Sequence, residues 1–375
     1  MKFIKIIFLL IVFSFFSCKT SRKITLDIAS SKTPKNVILL ISDGTGLSQI
    51  SSTFYFKEGT PNYTQFKNIG LIKTSSSRED VTDSASGATA FSCGVKTYNA
   101  AIGVADDSTM VQNIVDIASF NNIKTGVIAT SSITHATPAS FYAHALNRGL
   151  EEEIAMDMTE SNLDFFAGGG LKYFTQRHDQ KNVLSILKEN QFIINTTELT
   201  DFSSIKSNKK MGFLLANEAM PTMEKGRGDF LSEATDLAIQ FLSKDGTGFF
   251  IMSEGSQIDW GGHSNNASYI ISEINDFDDA IGTALAFAKK DGNTLVIVTS
   301  DHETGGFTLA AKKNKREDGS EYSDYREIGP TFSTGGHSAT LIPVFAYGPG
   351  SEEFTGIYEN NEIFHKILKV TKWNQ

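Results

Sequence analysis

The chain has 375 residues, 40% of them apolar, and a formal charge of −9 at neutral pH. That length and apolar content suffice for one large core, and with no basic stripe along the chain nucleic-acid binding is excluded as its main task. Cys18 and Cys93 are its two cysteines. If Cys18 is lipidated or removed, no disulfide can form, so stability must come from the core, with Cys93 as a small buried hydrophobe.

The first eighteen residues read as a targeting segment rather than part of the fold. MKFIK is a basic start, and IIFLLIVFSFF (6–16) is an apolar run of eleven residues, too short to span a bilayer as a mature helix. Ser17-Cys18 then resembles a bacterial lipoprotein cleavage site. Phe15 and Phe16 stand where a smaller lead-in is usual, which leaves plain secretion as the alternative to a lipid anchor at Cys18. Export is expected either way, to the periplasm or as a membrane-anchored lipoprotein. Losing Lys2 and Lys5 with the signal removes two positive charges and leaves −11. Residues 19–35 form a polar tether, and 36–375 is expected to be a single domain.

No repeat or low-complexity tract interrupts that domain. Four Val/Ile-rich runs lack alternation: NVILLIS (36–42), TGVIATSS (125–132), GFFIMS (248–253) and NTLVIVTS (293–300). Such runs suit strands buried on both faces. Helical stretches fall at 109–121, 229–244 and 268–290, so the pattern predicts an α/β fold, a doubly wound, mostly parallel sheet flanked by helices. Each run leads to a polar group: Asp43 after the first, Ile133-Thr134-His135 after the second, Glu254 after the third, Asp301-His302 after the fourth. Ligands of open α/β sheets bind outside the carboxyl ends of the strands. Four strands thus deliver a carboxylate or imidazole to one edge.

In VTDSASGATA, Asp83-Ser84 precedes a run almost without bulk. Asp and Ser are good helix N-caps, and a Ser at a helix N-terminus is also placed to act as a nucleophile. The residues alone leave both readings open. Asp43, Glu254, Asp259, His263, Asp301, His302 and His337 are candidate metal ligands. Crowded carboxylates repel one another unless cations sit between them. The mixture of oxygen and imidazole donors suits zinc beside a harder ion such as magnesium. Asp259 and His263 are four apart in a Gly-rich segment that can turn both toward one ion. Asp301 and His302 converge only in a turn, because neighbours on a strand face opposite ways. His337 in TGGHSAT is also the pattern of a plain surface loop.

VTDSASGATA, ISDGTG, HATPASFYAHALNR, EGSQIDWGGH, SDHETGG and STGGHSA together resemble, in order, the active-site motifs of alkaline phosphatases. The resemblance runs from residue 36 to about 350. It implies a phosphomonoester hydrolase with two zinc ions and one magnesium ion per subunit, acting on phosphate monoesters and inorganic phosphate, and often dimeric. Ser84 matches the serine that is phosphorylated, and Arg148 the arginine that grips phosphate. Asp259, His263 and His337 match the ligands of one zinc, and Asp43, Asp301 and His302 those of the second. Asp43 also matches a bridge to magnesium, completed by Thr137 and Glu254. His135 and Trp260 stand where enteric-type enzymes carry Asp and Lys, which leaves open the ion in that third site. Only 34 residues separate His302 from His337, so no crown domain is expected, and KKNKREDGSEYSDYRE (312–327) reads as a solvated loop. His144 falls in a predicted helix before Arg148, as a packing or a site residue; His178 and His365 read as surface. A phosphodiesterase of the same superfamily and a lipid-anchored phosphate- or metal-binding protein are the rival functions. A sulfatase would need a C/S-x-P-x-R setting, which DSASGAT does not provide.

Overall fold

The computed structural model describes residues 32–200 and 209–374. The signal segment, Cys18 and nearly all of the tether lie outside the described residues. In chain order the strands are β1 (Asn36–Ser42), β2 (Asn68–Lys73), β3 (Lys124–Ser132), β4 (Phe165–Gly169), β5 (Phe192–Asn195), β6 (Lys210–Leu214) and β7 (Phe249–Gly255). They continue with β8 (Thr294–Thr299), β9 (Glu303–Thr304), β10 (Thr308–Lys315), β11 (Glu321–Thr331), β12 (His337–Ser338), β13 (Ile342–Tyr347) and β14 (Gly356–Glu359). Ten of these build one sheet in the order β14-β2-β13-β8-β1-β7-β3-β4-β6-β5. Its pairings are parallel except those that β13 makes with β2 and β8.

The four apolar runs are β1, β3, β7 and β8, adjacent at the middle of the sheet in the order β8-β1-β7-β3. Every residue of β1 is buried. Successive side chains alternate between faces, so Val37, Leu39 and Ile41 enter one core while Ile38 and Leu40 enter the other. Helices Ser84–Cys93, Ile114–Phe120, Glu151–Glu160 and Glu362–Thr371 cover the first face. Leu47–Phe56, Phe230–Leu242 and Ala267–Asp291 cover the second. In the last of these, Ile270, Ile274, Phe277, Ile281, Ala284, Leu285 and Ala288 recur every three or four residues and form its buried stripe. Asn266 caps its start by accepting from Tyr269 N, and Gly292, left-handed at φ +68°, ends it. On the first face Phe250 stacks on Phe141 with ring centroids 6.1 Å apart. Truncating so buried a ring to Ala costs about 3–5 kcal/mol.

Three expectations need correction. Residues 312–327 are not a loop but most of an antiparallel hairpin, β10 with β11, turning at Gly319. The helix expected over 109–121 begins only at Ile114, because Asn113 Oδ1 accepts from Asp116 N and caps it there. His144 is not helical: the helix Ala136–Ala139 stops, and Ala145 is drawn into a bridge with Ile102.

Candidate active site

Each central strand ends where its polar residue is needed. Asp43 follows β1, and its N–H donates to the Gly255 carbonyl of β7 at 3.1 Å. Glu254 is the sixth of the seven residues of β7, level with Ile41 of β1. β8 stops at Thr299, and in the bend that follows Asp301 and His302 converge instead of pointing apart: Asp301 Oδ2 lies 3.3 Å from His302 Nε2. Asp259 and His263 sit one helical turn apart in Gln257–His263, with Asp259 Oδ2 3.4 Å from His263 Nε2.

These side chains gather in three groups able to hold a metal ion: Asp259 with His263 and His337, Asp43 with Asp301 and His302, and Asp43 with His135 and Glu254. The first two groups touch. His302 and His337 stack with ring centroids 3.6 Å apart, and His337 Nε2 is 3.1 Å from His263 Nε2. Asp43 is shared by the second and third. His337 is therefore no idle loop residue; its Nδ1 is held by the Thr82 carbonyl at 2.8 Å. His135 joins the third group, and Trp260 packs edge-on against its ring at 6.0 Å.

The donors carry signs of cations to come. Both oxygens of Asp43, Asp301 Oδ2, Glu254 Oε1, Thr137 Oγ1 and His135 Nδ1 are buried without a hydrogen-bond partner. Buried carboxylate oxygens left unpaired are costly unless metal ions take them up. Burial, followed by the charges of Asp301, Asp259 and Glu254, raises the Asp43 carboxyl well above the usual range. Burial pushes Glu254 up to about 8. Asp259 is held low despite its burial, by the His263 hydrogen bond and the His302 charge. His135 is lowered to about 3 by burial and by Arg148, which keeps its ring neutral and its lone pair free for coordination. Divalent cations among these groups would remove the repulsion and satisfy the orphaned atoms. The donor set fits them.

Ser84 is the first residue of the helix Ser84–Cys93 and is buried. Asp83 caps that helix by accepting from Ser86 N at 3.0 Å, so capping and an active Ser84 coexist. Ser84 Oγ lies 3.3 Å from His302 Nε2, at the edge of the second group. The other Asp83 oxygen accepts from Ala100 N at 3.0 Å and from Arg148 Nη1 at 3.1 Å. Arg148 Nη2 also reaches His135 Nε2 at 3.2 Å. The guanidinium is thereby fixed on Asp83, the residue before Ser84, while part of its side chain stays accessible. The scarcity of bulk after Ser84 has a geometric reason: a Cβ on Gly87 would lie 3.0 Å from Asp301 Cβ, so this helix packs directly on a ligand loop.

Of the other histidines, His178 is exposed beside Glu152 and His365 is exposed near the Gly94 carbonyl. His144 belongs to no metal group; its Nε2 meets the Val111 carbonyl and its N–H the Asp157 carboxylate. Sequence reasoning missed Asp83 as the holder of Arg148, and Ser256 and Ser131, which line Glu254. It also missed Thr304, whose hydroxyl donates to Asp259 Oδ1. Only Asp83 carried a signal, as the cap before the nucleophile candidate.

The family model for alkaline phosphatase matches residues 34–322. Alkaline phosphatase 3 of Bacillus subtilis is 33% identical, over 91% of this chain and 89% of its own. The structure of alkaline phosphatase from the Antarctic bacterium TAB5 is 89% identical, covering 92% of this chain and 99% of that one with a TM-score of 0.90. A mutant of that enzyme, His 135 to Asp, is known with Mg bound in the M3 site; it is 90% identical over 92% of this chain and 99% of that one, with a TM-score of 0.91. A central sheet that brings three ligand groups beside Ser84 and Arg148, and relatives of this closeness over about nine-tenths of the chain, lead to one conclusion: the chain belongs to the alkaline phosphatase family and is a metal-dependent phosphomonoester hydrolase.

Proposed function

We propose that hydrolysis runs through a phosphoserine on Ser84. The observation that carries this is Ser84 Oγ at a capped helix N-terminus, 3.3 Å from His302 Nε2 and one residue from the Asp83 carboxylate that holds Arg148. Asp259, His263 and His337 would hold one zinc, and Asp43, Asp301 and His302 the other. Asp43, Thr137 and Glu254 would hold magnesium, in line with the Mg found in the TAB5 mutant, and His135 adds a nitrogen donor to that group. When bound, such ions supply charge stabilisation and lower the pKa of oxygen nucleophiles.

Arg148 offers a planar two-donor fork to two phosphate oxygens. Asp83 keeps that fork aimed, and the helix N-terminus favours negative charge on Ser84 and on the phosphoryl group. Ser84 Oγ bonds to phosphorus as the bond to the departing alcohol breaks. Water then cleaves the serine ester, releasing inorganic phosphate and restoring Ser84. No residue beyond this set is needed as a base, because phosphoryl transfer depends mainly on positioning and charge. Chelation should abolish turnover of an aryl monoester, and zinc with magnesium should restore it. Full activity in metal-free protein contradicts the assignment.

The targeting segment supports export and a lipid anchor at Cys18; Cys18→Ala should release the protein from the membrane fraction. A homodimer follows from the family resemblance and is tested by sedimentation of the purified protein.

A further inference from the structure

Glu303 stands next to His302 and is 4% exposed, yet it is neither in a ligand group nor paired with a cationic side chain among the described residues. Its carboxylate is nonetheless fully engaged. Oε1 accepts from Gln49 Nε2 at 2.8 Å and from Phe307 N at 3.0 Å, and Oε2 accepts from the Ser338 hydroxyl. Gln49 in turn donates to the Thr304 carbonyl at 3.0 Å and accepts from Gly46 N at 3.1 Å. Gly46 lies so close that a Cβ there would be 2.6 Å from Glu303 Cγ. The side chain thus bridges three segments: the first turn of the helix Leu47–Phe56 that follows the Asp43 turn, the stretch from Glu303 to Phe307 that continues the Asp301-His302 bend, and β12, whose first residue is His337. The ladder between β9 and β12 is only two residues long, Thr304 with His337 and Glu303 with Ser338. Two residues of ladder are a weak hold on a metal ligand. A buried carboxylate with three donors is a strong one.

We propose that Glu303 is a positioning residue for His337: through Ser338 it clamps β12 against the helix that follows the Asp43 turn and so registers one metal group against the other. This rests on the assignment of His337 as a zinc ligand. Outer partners that fix a ligand in this way typically change metal affinity roughly 10–100-fold when removed.

The test is zinc affinity of the full chain by competition with a chromophoric chelator, with bound zinc counted by mass spectrometry. Ser338→Ala deletes one hydrogen bond and leaves the buried carboxylate; Glu303→Ala deletes all three. Glu303→Gln preserves the shape, an oxygen for Gln49 and Phe307 N, and an amide that can donate to Ser338 Oγ. We expect one zinc equivalent to weaken by about tenfold or more in Ser338→Ala and Glu303→Ala, the other equivalent to stay near wild type, and Glu303→Gln to bind like wild type. If Glu303→Ala does not fold, Ser338→Ala decides. Unchanged affinity in the folded variants, or equal weakening of every equivalent, overturns the proposal. A wild-type chain that binds no zinc overturns the metal reading itself, and this inference with it.

Discussion

Gly44 is where a single methyl group should do most to the site. Its φ is +71°, and a Cβ there would lie 2.6 Å from Asp259 Cα and 2.8 Å from Asp259 Oδ1. Two costs follow in Gly44→Ala. The left-handed backbone alone costs about 1–2 kcal/mol with a side chain. The clash is the more telling, since carbon atoms rest near 3.5 Å and a gap of about 0.9 Å must open between the Asp43 turn and Asp259. Ligand distances tolerate about 0.2 Å. Zinc affinity at the Asp259 group should therefore fall roughly 10–100-fold, or about 1.4–2.8 kcal/mol. Gly59→Ala is the control: Gly59 is left-handed at φ +84° with nothing within 4 Å of the added carbon, so it bears the backbone strain without the clash. Thermal melts and zinc competition on both variants separate the two effects. Should Gly44→Ala hold zinc as tightly as Gly59→Ala, close packing at Gly44 does not set the position of Asp259.

Arg148→Ala should weaken substrate and inorganic phosphate together, by about 1.5–3 kcal/mol each, because both present the same oxygens to the fork. Unaltered phosphate inhibition in that variant would show that Arg148 does not bind phosphate. Zinc affinity of the metal-free protein should rise with pH until the ligands have lost their protons. The Asp259 hydrogen bond raises His263 to about 9, so below that value zinc must displace a proton; burial raises Glu254 to about 8, which sets the same competition for magnesium. Apparent affinity should drop about tenfold per pH unit for each proton displaced; a value constant from pH 6.5 to 8 contradicts this. Cys93 is buried at the end of its helix, and burial pushes its thiol up to about 12. It should resist alkylation at pH 8 in the folded protein and react at once in denaturant, and rapid native labelling would show that the helix opens.

The centre of the fold was legible because β1, β3, β7 and β8 are buried on both faces and therefore written in unbroken apolar runs. The edges were not. β2 alternates in burial and β5 has only four residues, too short a run to stand out; β10 and β11 are exposed or half-buried at all but one residue, and their polar residues read as a loop over 312–327. The same contrast holds at the site. Asp43, Glu254 and Asp301 could be placed because each follows or ends a readable strand. His337 could not be assigned from its own surroundings: what fixes it is the Thr82 carbonyl and the bond from Ser338 to Glu303, contacts 255 and 35 residues away along the chain. Thr304 and Glu303 carried no signal of their own, since their partners Asp259, Gln49 and Ser338 come together only in the folded chain.

On the proposed route every monoester passes through one phosphoserine at Ser84. Two esters with very different leaving groups should then give the same phosphoenzyme. With an alcohol acceptor such as Tris present, the phosphoryl group should divide between water and alcohol in one fixed ratio, whichever ester supplied it. Ser84→Ala should lose most of the rate and this shared ratio with it. A ratio in the wild-type protein that follows the leaving group would mean that water and alcohol attack the ester directly, and that Ser84 is not the nucleophile.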